Sequence, residues 1–511
     1  NLNNLKFKID EDVFSANGNV RNITTNPTIN LVANGVVNLA NVSKVYPVKL
    51  ENELSGILKA DINTNFDMNA IEKGNYERIK NAGNISVTNF KYDGEDVANP
   101  FFIDKTSVNF NTNTITLNQF EAKTGTSDIS LKGNLENFYG FLFKKQVLKG
   151  SFILNSNNLK VADFLSTVEK TTTENPTKTS SVKIPAFIDA KFTANAKTVI
   201  YDNITLKNVS GDVFIKDENI KLKNLKSDVF GGNIAFNGNV STKGNTSTFN
   251  MDLNLKELNI ADSFSNLEML KAIAPIAKAI EGKVNSTVNV SGNLNEDMTP
   301  NLKTISGNLL GQLLNTKLKA SDSKVLGVLG EKVDFLDVSK LNLDKIQTYI
   351  AFKNGEASVK PFKLNYKDIG IEVEGKHGFD KTINYNLTFD VPVKYLGTEV
   401  TSIISKLAPK DAESIKTIPV KANLTGNFTS PNFTTNIKDA TKNLVNDLIE
   451  KQKQNLKDKG KDKLKDLLGL SDTKTVATEK DSTKTKETTK DKVKDILGGL
   501  FGNKKKDTVK K

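Results

Sequence analysis

Very few side chains in this sequence could do chemistry. The chain has no Cys, and its single His, His377, stands in the segment 374–380, EGKHGFD. Without Cys there is no disulfide, thiolate metal site or cysteine nucleophile, and a lone His completes neither a multi-histidine metal site nor a triad without partners. We interpret His377 as a structural residue at a turn.

Other candidate motifs are equally weak. The cluster Asp10-Glu11-Asp12 lacks the spaced oxygen ligands of a calcium loop, and Gly327 and Gly330 have no preceding strand and no Gly-Lys-Ser/Thr context. The nucleophile-elbow and dinucleotide-binding patterns are missing. Paired carboxylates for glycoside hydrolysis stay open, although 7% aromatic content without Trp gives few rings for stacking sugars. We therefore predict a protein that is not an enzyme and has no cofactor or metal.

The charge pattern separates a body from a tail. Of 71 Lys/Arg and 59 Asp/Glu, residues 451–511 hold 19 Lys and 10 Asp/Glu, so the other 450 residues are nearly neutral. A nucleic-acid-binding body is not expected. Residues 471–490 form a low-complexity linker, and residues 491–501 form a short basic amphipathic segment that would contact an anionic membrane or a partner, or else lie solvated. The sequence contains no run of about 18 apolar residues, so it predicts no transmembrane helix.

The body reads as β-strands. Apolar side chains alternate with Asn, Asp, Lys and Thr, as at 249–256 (FNMDLNLK) and 384–391 (NYNLTFDV), which gives each strand one apolar and one wet face. Gly-Asn pairs such as Gly133-Asn134 and Gly238-Asn239 predict hairpin turns, and Gly231-Gly232 predicts a bulge or bend. The chain opens within such a pattern, so we expect a fragment that lacks an N-terminal signal or anchor.

The sequence also repeats. Residues 108–135 align without a gap to 213–240, with Val108, Ile115 and Phe120 opposite Val213, Ile220 and Leu225. Residues 357–376 and 5–20 are a third and a fourth copy. A spacing above 100 residues argues against short-period solenoids and propellers. It favours a large β unit used several times.

The predicted organisation is a mainly β chain with few helices, built from repeated β units and followed by a basic tail. The resemblance given below implies that the β units form an elongated, curved antiparallel sheet with an apolar groove. The predicted segments are a β repeat region (1–170), a linker (171–182), a second β region (183–440) with helices near 264–281 and 397–408, an amphipathic helix (441–470) and the low-complexity tail (471–511). Lipid chains would cover the apolar face, or a closed protein core would. The candidate lining residues are Ile220, Leu222, Ile234, Phe236, Phe249, Met251, Leu253, Leu255, Tyr385, Leu387, Phe389 and Val391.

Three segments resemble the AsmA family in the order expected for its C-terminal region. They are 206–241 (LKNVSGDVFIKDENIKLKNLKSDVFGGNIAFNGNVS), 304–318 (TISGNLLGQLLNTKL) and 417–437 (TIPVKANLTGNFTSPNFTTNI). In the last segment Pro419-Val420 and Pro431 hold matching places, and Gly426-Asn427 stands for the family's Gly-Thr pair. The resemblance covers most of 180–440, covers 1–170 more loosely, and does not extend past 440.

The resemblance implies a protein of the Gram-negative cell envelope. AsmA-like proteins, which are similar to TamB-type and chorein-type bridge proteins, are anchored in the inner membrane by an N-terminal helix, and their curved β bodies lie in the periplasm. The expected function is a conduit for phospholipid between the inner and outer membranes that supports outer-membrane integrity. The alternative is an assembly factor for outer-membrane proteins that binds partners by strand addition. A surface adhesin would show a regular short repeat, which is missing.

Overall fold

The computed structural model describes residues 1–41, 55–93, 99–111, 114–164, 183–405, 412 and 415–457. The chain forms two compact units: unit 1 is Asn1–Lys271, Lys283–Gly311 and Phe352–Gly355, and unit 2 is Ala272–Gly282, Gln312–Ala351 and Glu356–Lys511. The predicted linker 171–182, the tail 471–511 and the stretch 458–470 of the predicted amphipathic helix lie outside the described residues.

The expectation of a mainly β chain with an antiparallel sheet and few helices is confirmed, and the described residues contain 23 strands. The strands are β1 (Leu2–Ile9), β2 (Asp12–Arg21), β3 (Thr28–Asn38), β4 (Ile57–Asp67), β5 (Lys80–Tyr92), β6 (Phe101–Phe110), β7 (Ile115–Thr124), β8 (Ser127–Glu136), β9 (Leu148–Ser156), β10 (Leu159–Lys160), β11 (Ile188–Tyr201), β12 (Ile204–Lys216), β13 (Asn219–Val229), β14 (Gly232–Ser241), β15 (Thr248–Asn259), β16 (Ile280–Asn293), β17 (Ser306–Leu318), β18 (Gln347–Lys353), β19 (Glu356–Tyr366), β20 (Ile369–Gly378), β21 (Thr382–Pro392), β22 (Thr417–Asn427) and β23 (Ser430–Thr435).

The helices are short apart from the last one. They are α1 (Met68–Glu72), α2 (Phe138–Lys144), α3 (Ile260–Asn266), α4 (Glu268–Ile273), α5 (Lys324–Lys332), α6 (Thr398–Ser405) and α7 (Ile437–Lys457). The helix predicted over 264–281 is split into α3, α4 and a 3-10 turn that starts at Pro275, where the missing N–H and fixed φ interrupt the hydrogen-bond ladder. The patterns near 397–408 and 441–470 correspond to α6 and α7, whereas α1, α2 and α5 were not predicted.

In unit 1, successive strands from β1 to β9 pair antiparallel. Strand β9 then pairs in parallel with β11, and the order from β11 to β16 is again antiparallel. The short strand β10 also pairs in parallel with β11. In unit 2, β19 to β23 pair successively antiparallel.

The repeat predicted from the sequence is confirmed in strand register. Leu117 lies opposite Gly133 and Phe120 opposite Leu131, with an irregularity between the two pairs. The same pairs and the same irregularity recur 105 residues later between β13 and β14, again between β19 and β20, and between β1 and β2. Each hairpin then turns through an equivalent residue with φ near +50°: Asp10, Gly125, Phe230 and Lys367.

The prediction that Gly133-Asn134 and Gly238-Asn239 form hairpin turns is wrong, although Gly426-Asn427 does stand at the β22–β23 hairpin. Gly133 and Gly238 lie inside β8 and β14, and the chain turns instead at Phe230-Gly231, where a bulge or bend was expected. A Cβ at Gly133 would collide with the carbonyl oxygen of Ser151 on the neighbouring strand. Gly133 is therefore needed for close approach of two strands rather than for a positive φ.

Candidate functional site

One face of the unit 1 sheet is apolar along its whole width, and we call it the apolar face. Register pairs carry it from strand to strand: Val108 lies opposite Ile85 and Leu117, and Val213 opposite Phe192. One member from each long strand between β2 and β15 is Phe14, Leu31, Ile62, Ile85, Val108, Leu117, Leu131, Phe152, Phe192, Val213, Leu222, Phe236 and Leu253. All thirteen side chains are half-buried.

The opposite face of unit 1 is polar and exposed. It carries Asn, Asp, Lys and Thr, with ion pairs such as Lys216–Asp189 (2.9 Å) and Lys123–Asp104 (2.7 Å). Large apolar side chains occur on it singly, as at Val36 and Ile153. Since isolated exposed apolar residues are normal on any protein, only the continuous face indicates a function.

The eight unit 1 residues predicted to line a groove all lie on the apolar face. Ile234 and Phe236 face Leu255 and Leu253 across the β14–β15 pair, and Ile220 lies opposite Val240 on the same face. Phe249 and Leu255 are buried, as are Val288 and Val290 on β16. The other predicted members, namely Ile220, Leu222, Ile234, Phe236, Met251 and Leu253, are half-buried. The face is thus largely open over β2–β14, where Ile115, Leu225 and Val229 are its buried large side chains, and it closes at β15–β16.

The four predicted residues of unit 2 have a different environment. Leu387, Phe389 and Val391 are buried, and Tyr385 is half-buried. The Phe389 ring meets the Phe335 ring edge to face, with 5.9 Å between ring centroids, and pairs in register with Val420 on β22. These side chains pack a protein core within unit 2, where α5 contacts β23 and α7 contacts β22.

The expectation that His377 lies at a turn is wrong, because it occupies β20 and is 2% exposed. Its Nδ1 lies 2.8 Å from Tyr385 Oη and its Nε2 lies 3.1 Å from the Ala272 carbonyl oxygen. The neutral ring satisfies both: Nε2–H donates to Ala272, and Nδ1 accepts from the tyrosine hydroxyl. Burial lowers the pKa of His377, against a smaller opposite effect of the Ala272 and Ile273 carbonyls. The equivalent position in the other repeats is apolar.

A second buried polar group, the Asp163 carboxylate, lies at the end of the second repeat. Asp163 Oδ2 accepts hydrogen bonds from Thr126 N at 2.8 Å and Ser127 Oγ at 2.8 Å, next to the turn at Gly125. Burial raises the pKa of the Asp163 carboxyl, but these hydrogen bonds outweigh it and hold that pKa below its usual range. The equivalent first-repeat contact is Asp12 accepting from Asn38 N. These carboxylates fasten the segment after the third strand to the hairpin, so their role is structural.

Sequence analysis missed one cluster of aromatic side chains. Helix α2 places Tyr139 and Phe143 against Tyr76, while Phe141 meets Phe187, with ring centroids 6.0 to 6.5 Å apart. The signal was the run Phe-Tyr-Gly-Phe-Leu-Phe at 138–143, which breaks the strand period but is too short to show a helical stripe. It lies at the ends of β8 and β9.

Within the described ranges, no cluster of three His, Cys, Asp or Glu could hold a metal ion. Among the described helices, none combines the length and apolar character that a membrane crossing requires. Comparison of the chain with protein-family models, with curated proteins and with solved structures finds no match in any of the three.

Proposed function

We propose that this protein binds lipid acyl chains along the apolar face of unit 1 and acts as a non-enzymatic lipid conduit. The observation that carries the proposal is the row of half-buried apolar side chains that continues from β2 to β14. A sheet that only packed a protein core would bury these side chains, as unit 2 buries Phe389 and Val391.

The energetics favour an acyl chain as the occupant. Each CH₂ removed from water contributes about 0.8 kcal/mol, so a chain of about 16 methylenes laid against the face with half of its surface covered would gain about 6 kcal/mol. The face is chemically uniform, with Leu, Ile, Val and Phe at successive positions. Neighbouring sites would therefore be nearly equal in energy, and a chain could slide from one to the next.

The resemblance to the AsmA family extends the proposal to a place and a cargo. The protein would lie in the periplasm of a Gram-negative bacterium and move phospholipid between the inner and outer membranes, supporting outer-membrane integrity. The repeated β units support this reading because a conduit needs many equivalent contacts rather than one specific pocket.

Native mass spectrometry of the full chain, with extraction and identification of bound lipid, tests the proposal. Two adjacent residue pairs provide matched variants. Leu154 is on the apolar face and its neighbour Ile153, 53% exposed, is on the polar face; Val37 and Val36, 40% exposed, form a second pair. We expect Leu154→Asp with Val37→Asp to lose most of the bound phospholipid, and Ile153→Asp with Val36→Asp to keep it.

Circular dichroism and size-exclusion chromatography serve as the control that both double variants are folded before their lipid content is compared. If the wild-type chain carries no lipid, or if the polar-face variant loses as much lipid as the apolar-face variant, the conduit is refuted. Capture of β-strand peptides by a lipid-free wild-type chain would instead support the strand-addition alternative.

A further inference from the structure

We infer that the aromatic cluster of unit 1 docks on a bilayer surface that contains anionic phospholipids. The cluster, called here the aromatic edge, consists of Tyr76, Tyr139, Phe141, Phe143 and Phe187. This inference rests on the proposed function, because it names the place where lipid would pass between a bilayer and the apolar face.

The aromatic edge lies where three chain connections meet, at the same ends of their strands. Helix α2 connects β8 to β9, and the Lys144 ammonium donates to the Glu72 carbonyl oxygen of α1 at 2.6 Å. Phe187 precedes β11, and its carbonyl oxygen accepts from Leu148 N at 2.9 Å. These contacts hold the rings together on a hydrogen-bonded frame.

Two of the rings are partly exposed to solvent. Phe143 is 40% exposed and Phe187 is 54% exposed, although both are large apolar side chains. The rings stack on one another, as for Tyr139 and Phe143 at 6.2 Å with an interplanar angle of 4°. Exposed Phe side chains next to basic residues are typical of segments that insert into the boundary between headgroups and acyl chains, and Tyr is enriched at the same interface.

The charge around the edge fits an anionic surface. The connecting segments 67–80 and 137–149 contain six Lys/Arg and three acidic residues, and Arg78 forms an ion pair with Asp67. The second segment has three Lys and no acid. Lys145 and Lys149 are exposed. Each Lys near a membrane surface that carries anionic lipid contributes about 1 kcal/mol. A protein partner that matched only the rings would leave these lysines without counter-charges.

The aromatic edge is also continuous with the apolar face. Asn81 on β5, which lies on that face, donates to Tyr139 Oη. A side-chain oxygen of Asn81 and the Tyr76 hydroxyl are buried without a hydrogen-bond partner among the described residues. Polar groups that meet the end of an apolar surface are suited to lipid headgroups, while the chains continue onto the face.

Because the sequence has no Trp, the fluorescence of a single introduced Trp reports on one site only. Contact of the basic tail with vesicles does not contribute to this signal directly. The full chain carrying Phe143→Trp or Phe187→Trp is mixed with vesicles of phosphatidylglycerol and phosphatidylcholine, with and without brominated acyl chains. We expect a blue shift and bromine quenching with phosphatidylglycerol. Ile153→Trp, on the polar face at 53% exposure, is the matched control and should not respond.

The basic contribution is measured by adding Lys145→Gln and Lys149→Gln, both at exposed positions, which should weaken vesicle binding by about 30-fold if each lysine contributes as expected. The inference is overturned if the Trp at 143 or 187 stays in water while vesicles bind the chain, or if Ile153→Trp responds equally. Native mass spectrometry separates the two proposals: bound phospholipid without docking at the edge refutes this inference and leaves the conduit intact.

Discussion

Replacing one Phe by Ala in each unit distinguishes an open apolar face from a closed core. Phe389 in unit 2 is 1% exposed and packs against Phe335. Its removal leaves a cavity that the surrounding rings cannot fill, so Phe389→Ala should cost about 4 kcal/mol of unfolding free energy. Phe236 on the apolar face of unit 1 is only half-buried, between Leu225 and Leu253. Without lipid, Phe236→Ala should cost about 1 to 2 kcal/mol, because water already reaches part of the ring.

The measurement is urea unfolding of delipidated protein, followed by hydrogen exchange on peptides from each unit, since the two units need not unfold together. The expected result is a much larger midpoint shift for β20–β22 peptides in Phe389→Ala than for β13–β15 peptides in Phe236→Ala. Equal losses of about 4 kcal/mol would mean that Phe236 sits in a closed core, and would refute the open face.

Three further predictions concern the structural polar groups and the repeated glycine. The folded-state pKa of His377 lies below its ordinary value, so its stabilisation is complete above about pH 6.5 and is lost as pH falls; His377→Leu should flatten the unit 2 stability profile between pH 5 and 7, measured by urea midpoints, and an unchanged profile would contradict this. Asp163→Asn should cost about 1 to 3 kcal/mol at pH 7 and remove the acid-side loss, in the same titration of unit 1. Gly133→Val should cost about 3 kcal/mol, whereas Gly327→Ala, with open space around its Cβ and no positive φ, should cost less than half of that; equal losses would refute the close-approach reading.

The mainly β fold class and the repeated β unit could be predicted because they depend on local sequence patterns. The alternation of apolar and polar residues predicts a one-faced strand directly, and equivalent residues such as Val108 and Val213 imply equivalent pairing. The turns could not be assigned in the same way. Gly-Asn is a frequent turn pair, but Gly133 is required by the carbonyl oxygen of Ser151 on another strand, and that contact is not visible in the sequence.

The candidate face shows the same limit. The alternation around Phe236 and Phe389 is identical in kind, so both were proposed as groove lining. Only the three-dimensional packing shows that one is half-buried and the other is in a core. The burial of a strand face depends on what packs over it, and period-two alternation carries no information about that covering layer. His377 was misplaced for a related reason, since its partner Ala272 is 105 residues away.

The parallel pairing of β9 with β11 gives the two ends of the strands in unit 1 different kinds of connection. Repeats begin at β1, β7 and β13, with six antiparallel steps between the first two but only five long-strand steps between the last two. Five antiparallel steps would reverse the direction of β13, and one parallel step cancels the reversal. The hairpin ends that are held by carboxylates such as Asp163 therefore all lie at one end of the strands, and the aromatic connections all lie at the other end. A homologous sheet could be lengthened or shortened only by even numbers of strands, or by an odd number together with another parallel pair.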